Sequence, residues 1–248
     1  MNQSIIPNTY KGMQFIDVAA SMATVYILRA DGNLFAWGQN TWGQTNIPVN
    51  AQTGVKAIGA GSLTGYAIKT DGSVVAWGAN DKGQLSIPAG ATNVIAIDGG
   101  DGHALAVKAD GTVIGWGDFS SGQSTVPPGL SGVVAVSAGK RHSLALLNTG
   151  RVVGWGDNTM REINIPATAV DIVSISAGRD CSVAVKADGT LITWGDPAYT
   201  NFTPAVTNAV SVASDNQNSI AGLRNGGVAV AGNFYSDVNV SRTPTPTP

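Results

Sequence analysis

The chain alternates short apolar runs with glycine-rich polar breaks, and no run keeps the i, i+3, i+4 spacing of an amphipathic helix. One stretch serves as the type. Residues 133–137 (Val-Val-Ala-Val-Ser) read as a strand, 138–142 as a loop and 143–147 (Ser-Leu-Ala-Leu-Leu) as a second strand. A turn at Thr149-Gly150 leads into a third strand, 151–155, which ends on Trp155-Gly156. A further loop, 156–161, precedes a short fourth strand, 162–166. The second strand is apolar at consecutive positions here, in His-Ala-Leu-Ala-Val (103–107) and in Ser-Val-Ala-Val (182–185). Such a strand is covered on both faces, as in a sheet held between two others.

The same sentence recurs along the chain. Trp-Gly falls at Trp37, Trp77, Trp116, Trp155 and Trp194, with Ala231-Gly232 as a degenerate sixth copy. Six residues before each lies a turn pair: Asp31-Gly32, Asp71-Gly72, Asp110-Gly111, Thr149-Gly150, Asp188-Gly189 and Asn225-Gly226. These pairs are spaced 40, 39, 39, 39 and 37 residues apart. Asp-Gly between β-rich runs is a hairpin signal, since both residues tolerate positive φ. A fixed period of this length with four short strands predicts an all-β fold, a six-bladed β-propeller of four-stranded blades. The repeats run near 13–48, 49–88, 89–127, 128–166, 167–204 and 205–240, giving a single domain over 1–240. The recurring Trp is read as packing between blades.

Proline closes the fourth strand of five repeats, at Pro48, Pro88, Pro127, Pro166 and Pro204, and marks it as an outer edge. Ile6-Pro7 repeats that dipeptide with no blade before it. The N-terminal segment is therefore expected to close the ring as the outer strand of the sixth blade, in competition with Val238-Asn239-Val240. The Thr-Pro run over 241–248 is expected to be an extended tail.

Composition narrows the partners. Hydrophobic residues make up 43% and charged residues only 12%, with 32 glycines, which suits a compact β protein rather than a disordered chain. A net charge of −2 argues against a nucleic-acid partner, which calls for a basic stripe. No apolar run reaches the roughly 18 residues of a membrane span. One cysteine, Cys181, excludes an intrachain disulfide framework. No signal peptide is visible, which leaves the cytoplasm, a virion or export by another route.

Gly-x-x-His-Ser-Leu-Ala-Leu, seen from Gly139, followed by Val-x-x-Trp-Gly-x-Asn-x-x-Gly-Gln, seen over residues 74–84, resembles the regulator-of-chromosome-condensation repeat. The resemblance covers about residues 13–240 and is strongest in repeats two to four. The short repeat looks more like a bacterial branch that includes secreted β-lactamase inhibitory proteins, although those have seven blades and this chain supports six. The resemblance implies a propeller and says little about function. The basic tail and the exchange wedge of the family's chromatin-bound exchange factor have no counterpart here.

Catalysis would need complementary groups at defined positions. His103 and His142 share one repeat slot with Cys181, and a structural hydrogen-bonding role is expected for the histidines. Asp118, Asp157 and Asp196 follow Trp-Gly in successive repeats, too far apart for one metal, and are read as turn caps. No enzyme, cofactor or metal site is expected.

Strand parity places the one-to-two and three-to-four loops at one end, the top, and the hairpins at the other. The hairpins hardly vary, whereas the top loops differ in nearly every copy. Trp42, Phe119, Met160, Tyr199, Phe234 and Tyr235 give these loops the composition of a binding hot spot. Lys82 stands among them, and Lys140, Arg141, Arg161 and Arg179 form a basic sector on blades four and five. A non-enzymatic propeller that binds another protein through these loops is the leading expectation. A glycan-binding or adhesive component of a phage virion or cell surface is the alternative.

Overall fold

The computed structural model describes residues 7–10, 12–22, 24–199, 206–214 and 218–232. Among these residues eighteen strands form six antiparallel sheets, each with its strands in chain order. The first sheet is β1 (Phe15–Ala20), β2 (Thr24–Arg29) and β3 (Leu34–Gly38), and the second β4 (Val55–Gly61), β5 (Thr64–Lys69) and β6 (Val74–Gly78). The third is β7 (Val94–Gly99), β8 (His103–Lys108) and β9 (Val113–Gly117). The fourth is β10 (Val133–Ala138), β11 (His142–Leu147) and β12 (Val152–Gly156). The fifth is β13 (Ile172–Ala177), β14 (Cys181–Lys186) and β15 (Leu191–Gly195), and the sixth β16 (Ala209–Ser214), β17 (Asn218–Leu223) and β18 (Val228–Gly232).

Each sheet packs on the next through its first strands, β1 on β4, β4 on β7, β7 on β10, β10 on β13 and β13 on β16. The six first strands together line one central cavity of about 410 Å³. The middle strands of the second to fifth sheets are buried along nearly their whole length, which explains their lack of polar alternation. At each junction a large pair on one sheet meets small residues on the next. Tyr26 and Leu28 pack on Ala67, Tyr66 and Ile68 on Ala104 and Ala106, and Leu144 and Leu146 on Ala184.

Two expectations are corrected. The sheets have three strands, not four. The segments read as fourth strands run beside the sheets without a ladder, because their polar groups are engaged elsewhere. The amides of Thr45, Leu85 and Ile163 donate to the side-chain Oδ1 of Asn40, Asn80 and Asn158. The carbonyls of Gln44, Gln84, Gln123 and Glu162 accept the indole Nε1–H of Trp77, Trp116, Trp155 and Trp194 from the following blade, at 2.6–2.9 Å. The second correction concerns the hairpins. Only the glycine takes positive φ, from 74° to 86° across the six copies. The aspartate instead accepts the amide two residues on, as Asp71 does from Ser73 and Asp110 from Thr112.

Expected ring closure by Ile6 or by Val238-Asn239-Val240, and the tail at 241–248, fall outside the described residues. From Pro7 onward the N-terminal segment does copy a blade-to-blade connection. Tyr10 N–H donates to the Pro7 carbonyl as Ala51 N–H does to Pro48.

The two histidines are part of the junctions. His103 Nε2 lies 3.0 Å from Ser143 Oγ and His142 Nε2 lies 2.9 Å from Ser182 Oγ, each serine on the next blade. The serine hydroxyls donate to the Gln123 and Glu162 carbonyls, so the ring nitrogen must donate to the serine. That fixes the neutral Nε2–H tautomer. A second ring proton would place Nδ1–H where no acceptor is found among the described residues. Burial accordingly pushes both histidines down to about 4. Burial acts oppositely on Asp98, a cavity-wall residue, and pushes its carboxyl up to about 6.

Stability is expected to fall as pH drops from about 6.5 toward 4, because the unfolded chain takes up protons on two histidines that the folded chain refuses. Asp98 opposes this, since folded Asp98 takes its proton below about 6, ahead of the unfolded carboxyl. Two groups against one leave a net acid loss on the order of a few kcal/mol. Urea unfolding from pH 7 to 4 measures it; His103→Gln, which keeps a donor for Ser143, should flatten the slope, and an unchanged slope would clear the ring of the effect. Tyr66→Phe and Trp116→Phe each remove one donor to the Gln84 carbonyl, whose partners are Tyr66 Oη and Trp116 Nε1. Each should cost about 1–2 kcal/mol, and the double variant more than the sum, because a buried carbonyl is then unpaired.

Candidate protein-binding face

Both sets of top loops lie at one end of the molecule, since they hydrogen-bond within each blade. Ala79, Asp118, Asp157 and Asp196 N–H groups donate to the carbonyls of Leu63, Gly102, Arg141 and Asp180. Loops one-to-two also rim the cavity, with Met22, Ser62, Asp101, Lys140 and Arg179 at its mouth.

The three-to-four loops are built around one buried side chain each. Gln44 Oε1 accepts the Trp42 N–H, Gln84 Oε1 that of Lys82, Gln123 Oε1 that of Ser121 and Glu162 Oε2 that of Met160. This side chain pins the backbone of the loop tip. Trp42 and Met160 stand about half exposed there, and Lys82 is exposed. The aspartates after Trp-Gly cap the same loops, as Asp118 does from Ser120, Asp157 from Thr159 and Asp196 from Ala198.

Two residues occupy slots that other repeats use for scaffold. Phe119 stands where Asn40, Asn80 and Asn158 stand in their own loops, and it is 75% exposed. Arg161 stands where Gly43, Gly83 and Gly122 adopt φ of 76–80°, and it takes φ 68° itself. A side chain in that left-handed region is strained by about 1 kcal/mol or more. Its neighbour Glu162 replaces glutamine in the buried slot, and burial raises its carboxyl above the usual range.

The structure divides the expected basic sector. Arg141 pairs with Asp157 at 2.9 Å and Arg179 Nε with Asp180 at 3.2 Å, and Asp157 is held low by Thr159 as well as by Arg141. Lys140 and Arg179 face the cavity mouth, whereas Arg161 belongs to the outer loop of blade four. Tyr199 ends a single 3₁₀ turn, Pro197–Tyr199, and Phe234 and Tyr235 lie outside the described residues. Met22, in a variable one-to-two loop, also stands more than half exposed at the cavity mouth. Among the described residues no cluster of three His, Cys, Asp or Glu side chains could hold a metal ion. No helix there is long and apolar enough to cross a membrane.

Residues 55–84, 94–123 and 133–161 match the regulator of chromosome condensation (RCC1) repeat. Curated protein sequences give no match. Among solved structures, the chain resembles the ectodomain of the receptor kinase CR4 from Physcomitrella patens, with TM-score 0.75 and 19% identity over 90% of this chain and 62% of that one. Prp20p from Saccharomyces cerevisiae aligns with TM-score 0.73 and 19% identity over 90% of this chain and 73% of that one. The ectodomain of ACR4 from Arabidopsis thaliana aligns at 0.70 and 20%, over 89% and 80%. The chain thus spans less than two thirds of the first of these structures. None of these matches carries the resemblance to β-lactamase inhibitory proteins. Regulator of chromosome condensation repeats thus match in three consecutive blades, and the chain's six sheets share the propeller fold of these structures.

Proposed function

We propose that the top face binds another protein, with Trp42, Phe119 and Met160 as apolar anchors and Arg161 as a charged contact beside them. The observation that carries this reading is Phe119. In its slot, Asn40, Asn80 and Asn158 hold a loop amide with their side-chain oxygen. Phenylalanine gives up that bond and instead presents a large aromatic surface to water. Such a residue is unfavourable for the loop unless something covers it, and buried aromatics dominate the energy of protein interfaces. Arg161 supports the reading in the same way, since glycine would fit its backbone without strain.

Similar folds are used for protein contacts: yeast Prp20p is described with binding to Gsp1p and histones, and in complex with Kap60. The comparison supports an interaction scaffold and names no partner for this chain. The wider ring of contacts, with Lys82, Tyr199, Phe234 and Tyr235, belongs to the proposal. So does a basic contribution from Lys140, Arg141 and Arg179, two of which already have acidic neighbours. Among the described residues the face shows no constellation for chemistry, and we read the protein as non-enzymatic.

Phe119→Asn and Arg161→Gly should act with opposite signs on stability and binding. Each should raise unfolding stability, by about 0.5–1.5 kcal/mol, through a restored loop bond or relieved strain. Each should also weaken capture of the native partner by tenfold or more in affinity measurements, as expected for a hot-spot loss. Variants that are more stable yet bind equally well would remove the reason for the departures and sink the reading. A glycan array with the wild-type chain tests the adhesive alternative.

A further inference from the structure

The central cavity is walled by strand edges. Each first strand pairs with a middle strand on one side only, which leaves its other edge open along the cavity. The lining side chains are mostly glycine, alanine and serine, and none is aromatic. Its volume of about 410 Å³ falls within the roughly 300–1,000 Å³ of small-molecule sites. Such a wall suits a small polar guest.

Four ionisable residues line the cavity. Asp101, Lys140 and Arg179 stand at the mouth, in the one-to-two loops, and Asp98 alone lies on the wall below them. Asp98 holds the fifth position of β7, and the other first strands show what the scaffold needs at that position. Ser137 Oγ accepts the Ala177 N–H at 3.0 Å and Ser176 Oγ the Ser214 N–H at 2.8 Å. Asp98 Oδ2 does the same for the Ala138 N–H at 2.9 Å. Ala19, Gly59 and Ala213 fill the position with no polar side chain. A hydroxyl therefore suffices to sew one blade to the next. The carboxylate adds a charge that burial makes unfavourable.

That charge has no counter-ion. Asp98 receives the Gly99 N–H on Oδ1, and the Ser137 hydroxyl with the Ala138 N–H on Oδ2, all neutral donors. A carboxylate offers about four acceptor sites, so one on Oδ1 stays open. Among the described residues no cation pairs with it. At pH 7 it is nonetheless ionised, since burial raises its carboxyl only to about 6.

The opposite charge waits at the mouth. Lys140 follows Ala138 by two residues on the blade that Asp98 binds, so its backbone lies about 7 Å further toward the opening. Its ammonium pairs with no carboxylate among the described residues, whereas Arg179 beside it has Asp180 at 3.2 Å. The Lys140 N–H donates to the carbonyl of Gly178, which keeps these two loops together. Asp101, in the same slot of the preceding blade, is exposed and pairs with neither.

We propose that the cavity binds a small zwitterion of the amino-acid class, its ammonium on the Asp98 carboxylate and its carboxylate on the Lys140 ammonium. A simple cation is opposed by Lys140 at the entrance and a simple anion by Asp98 inside. Only a molecule that carries both charges satisfies both groups. The site lies below the loop tips and does not rest on the protein-binding reading.

Titration calorimetry of the full chain at pH 7 tests it, with β-alanine, γ-aminobutyrate, methylammonium and acetate as probes. At least one of the two amino acids should bind with a Kd of about 1 mM or tighter, and methylammonium and acetate at least tenfold more weakly. Asp98→Ser and Asp98→Asn remove the charge and keep an acceptor for the Ala138 amide. Each should keep a cooperative melt and lose affinity for the amino acid by tenfold or more. Lys140→Met, at the open mouth, should weaken the amino acid by about tenfold and leave methylammonium no weaker, and this reading does not depend on the Asp98 variants folding. Absence of binding by both amino acids overturns the proposal, as does methylammonium binding equally well. Undiminished binding to a folded Asp98 variant or to Lys140→Met overturns it too.

Discussion

The rest of the structure depends on one backbone carbonyl per blade. In each of four consecutive blades, the residue after the loop glycine or its substitute offers a C=O that receives an indole N–H from the next blade. A second donor joins it, the phenol of Tyr26 or Tyr66 in its own blade or the hydroxyl of Ser143 or Ser182 in the next. Both lone pairs are used, so a buried polar group that would otherwise destabilise the junction becomes its anchor. The same residue's side chain pins the loop tip above. One position therefore couples blade-to-blade packing to the shape of the top face.

That coupling explains why the repeat is strict in some slots and loose in others. Tryptophan, the hairpin glycine and the Gln-type residue each satisfy a group on a neighbouring blade. The hairpin glycine carbonyls do so as well, by accepting the amides of Val55, Val94, Val133, Ile172 and Ala209. The tips of the three-to-four loops bond within their own blade and vary, whereas two one-to-two loops reach the next blade, Ser62 N–H donating to the Gly100 carbonyl and Lys140 N–H to that of Gly178. The central cavity follows from the same rule. Its wall is sewn by side chains that reach the next blade's backbone, with Asp98 accepting from Ala138, Ser137 from Ala177 and Ser176 from Ser214.

Much of the fold was legible because turn chemistry and tryptophan spacing are local signals. The hairpins, the three ladder strands and the junction role of tryptophan all follow from residues within one period. The fourth strand was misread because Ile47-Pro48 and its copies look extended, and they are. What the pattern could not show is where their hydrogen bonds go, since the Asn80 side chain reaches five residues ahead and Trp116 reaches back 32. The candidate site was legible as a set of loops and less so as charges. Arg179 beside Asp180 was open to reading as a pair, but Arg141 with Asp157 requires the register that sets His142 opposite Gly156. Phe119 was read as a loop tip, when counting from Asn80 and Asn158 places it in a scaffold slot.

Blade four shows how far a loop can depart from the repeat and still hold the junction. Gly-Gln becomes Arg161-Glu162 there, and both changes are unfavourable, one through backbone strain and one through a carboxyl raised by burial. The junction survives because the Glu162 carbonyl does not depend on the side chain and still receives Trp194 and Ser182. The loop tip survives because a carboxylate oxygen accepts the Met160 amide as a carboxamide oxygen would. A loop required only to hold its blade would keep glycine and glutamine, as the second and third blades do. Two unfavourable residues in a loop that also exposes Met160, one blade from the loop where Phe119 stands in the asparagine slot, are the departures on which the proposed binding face rests.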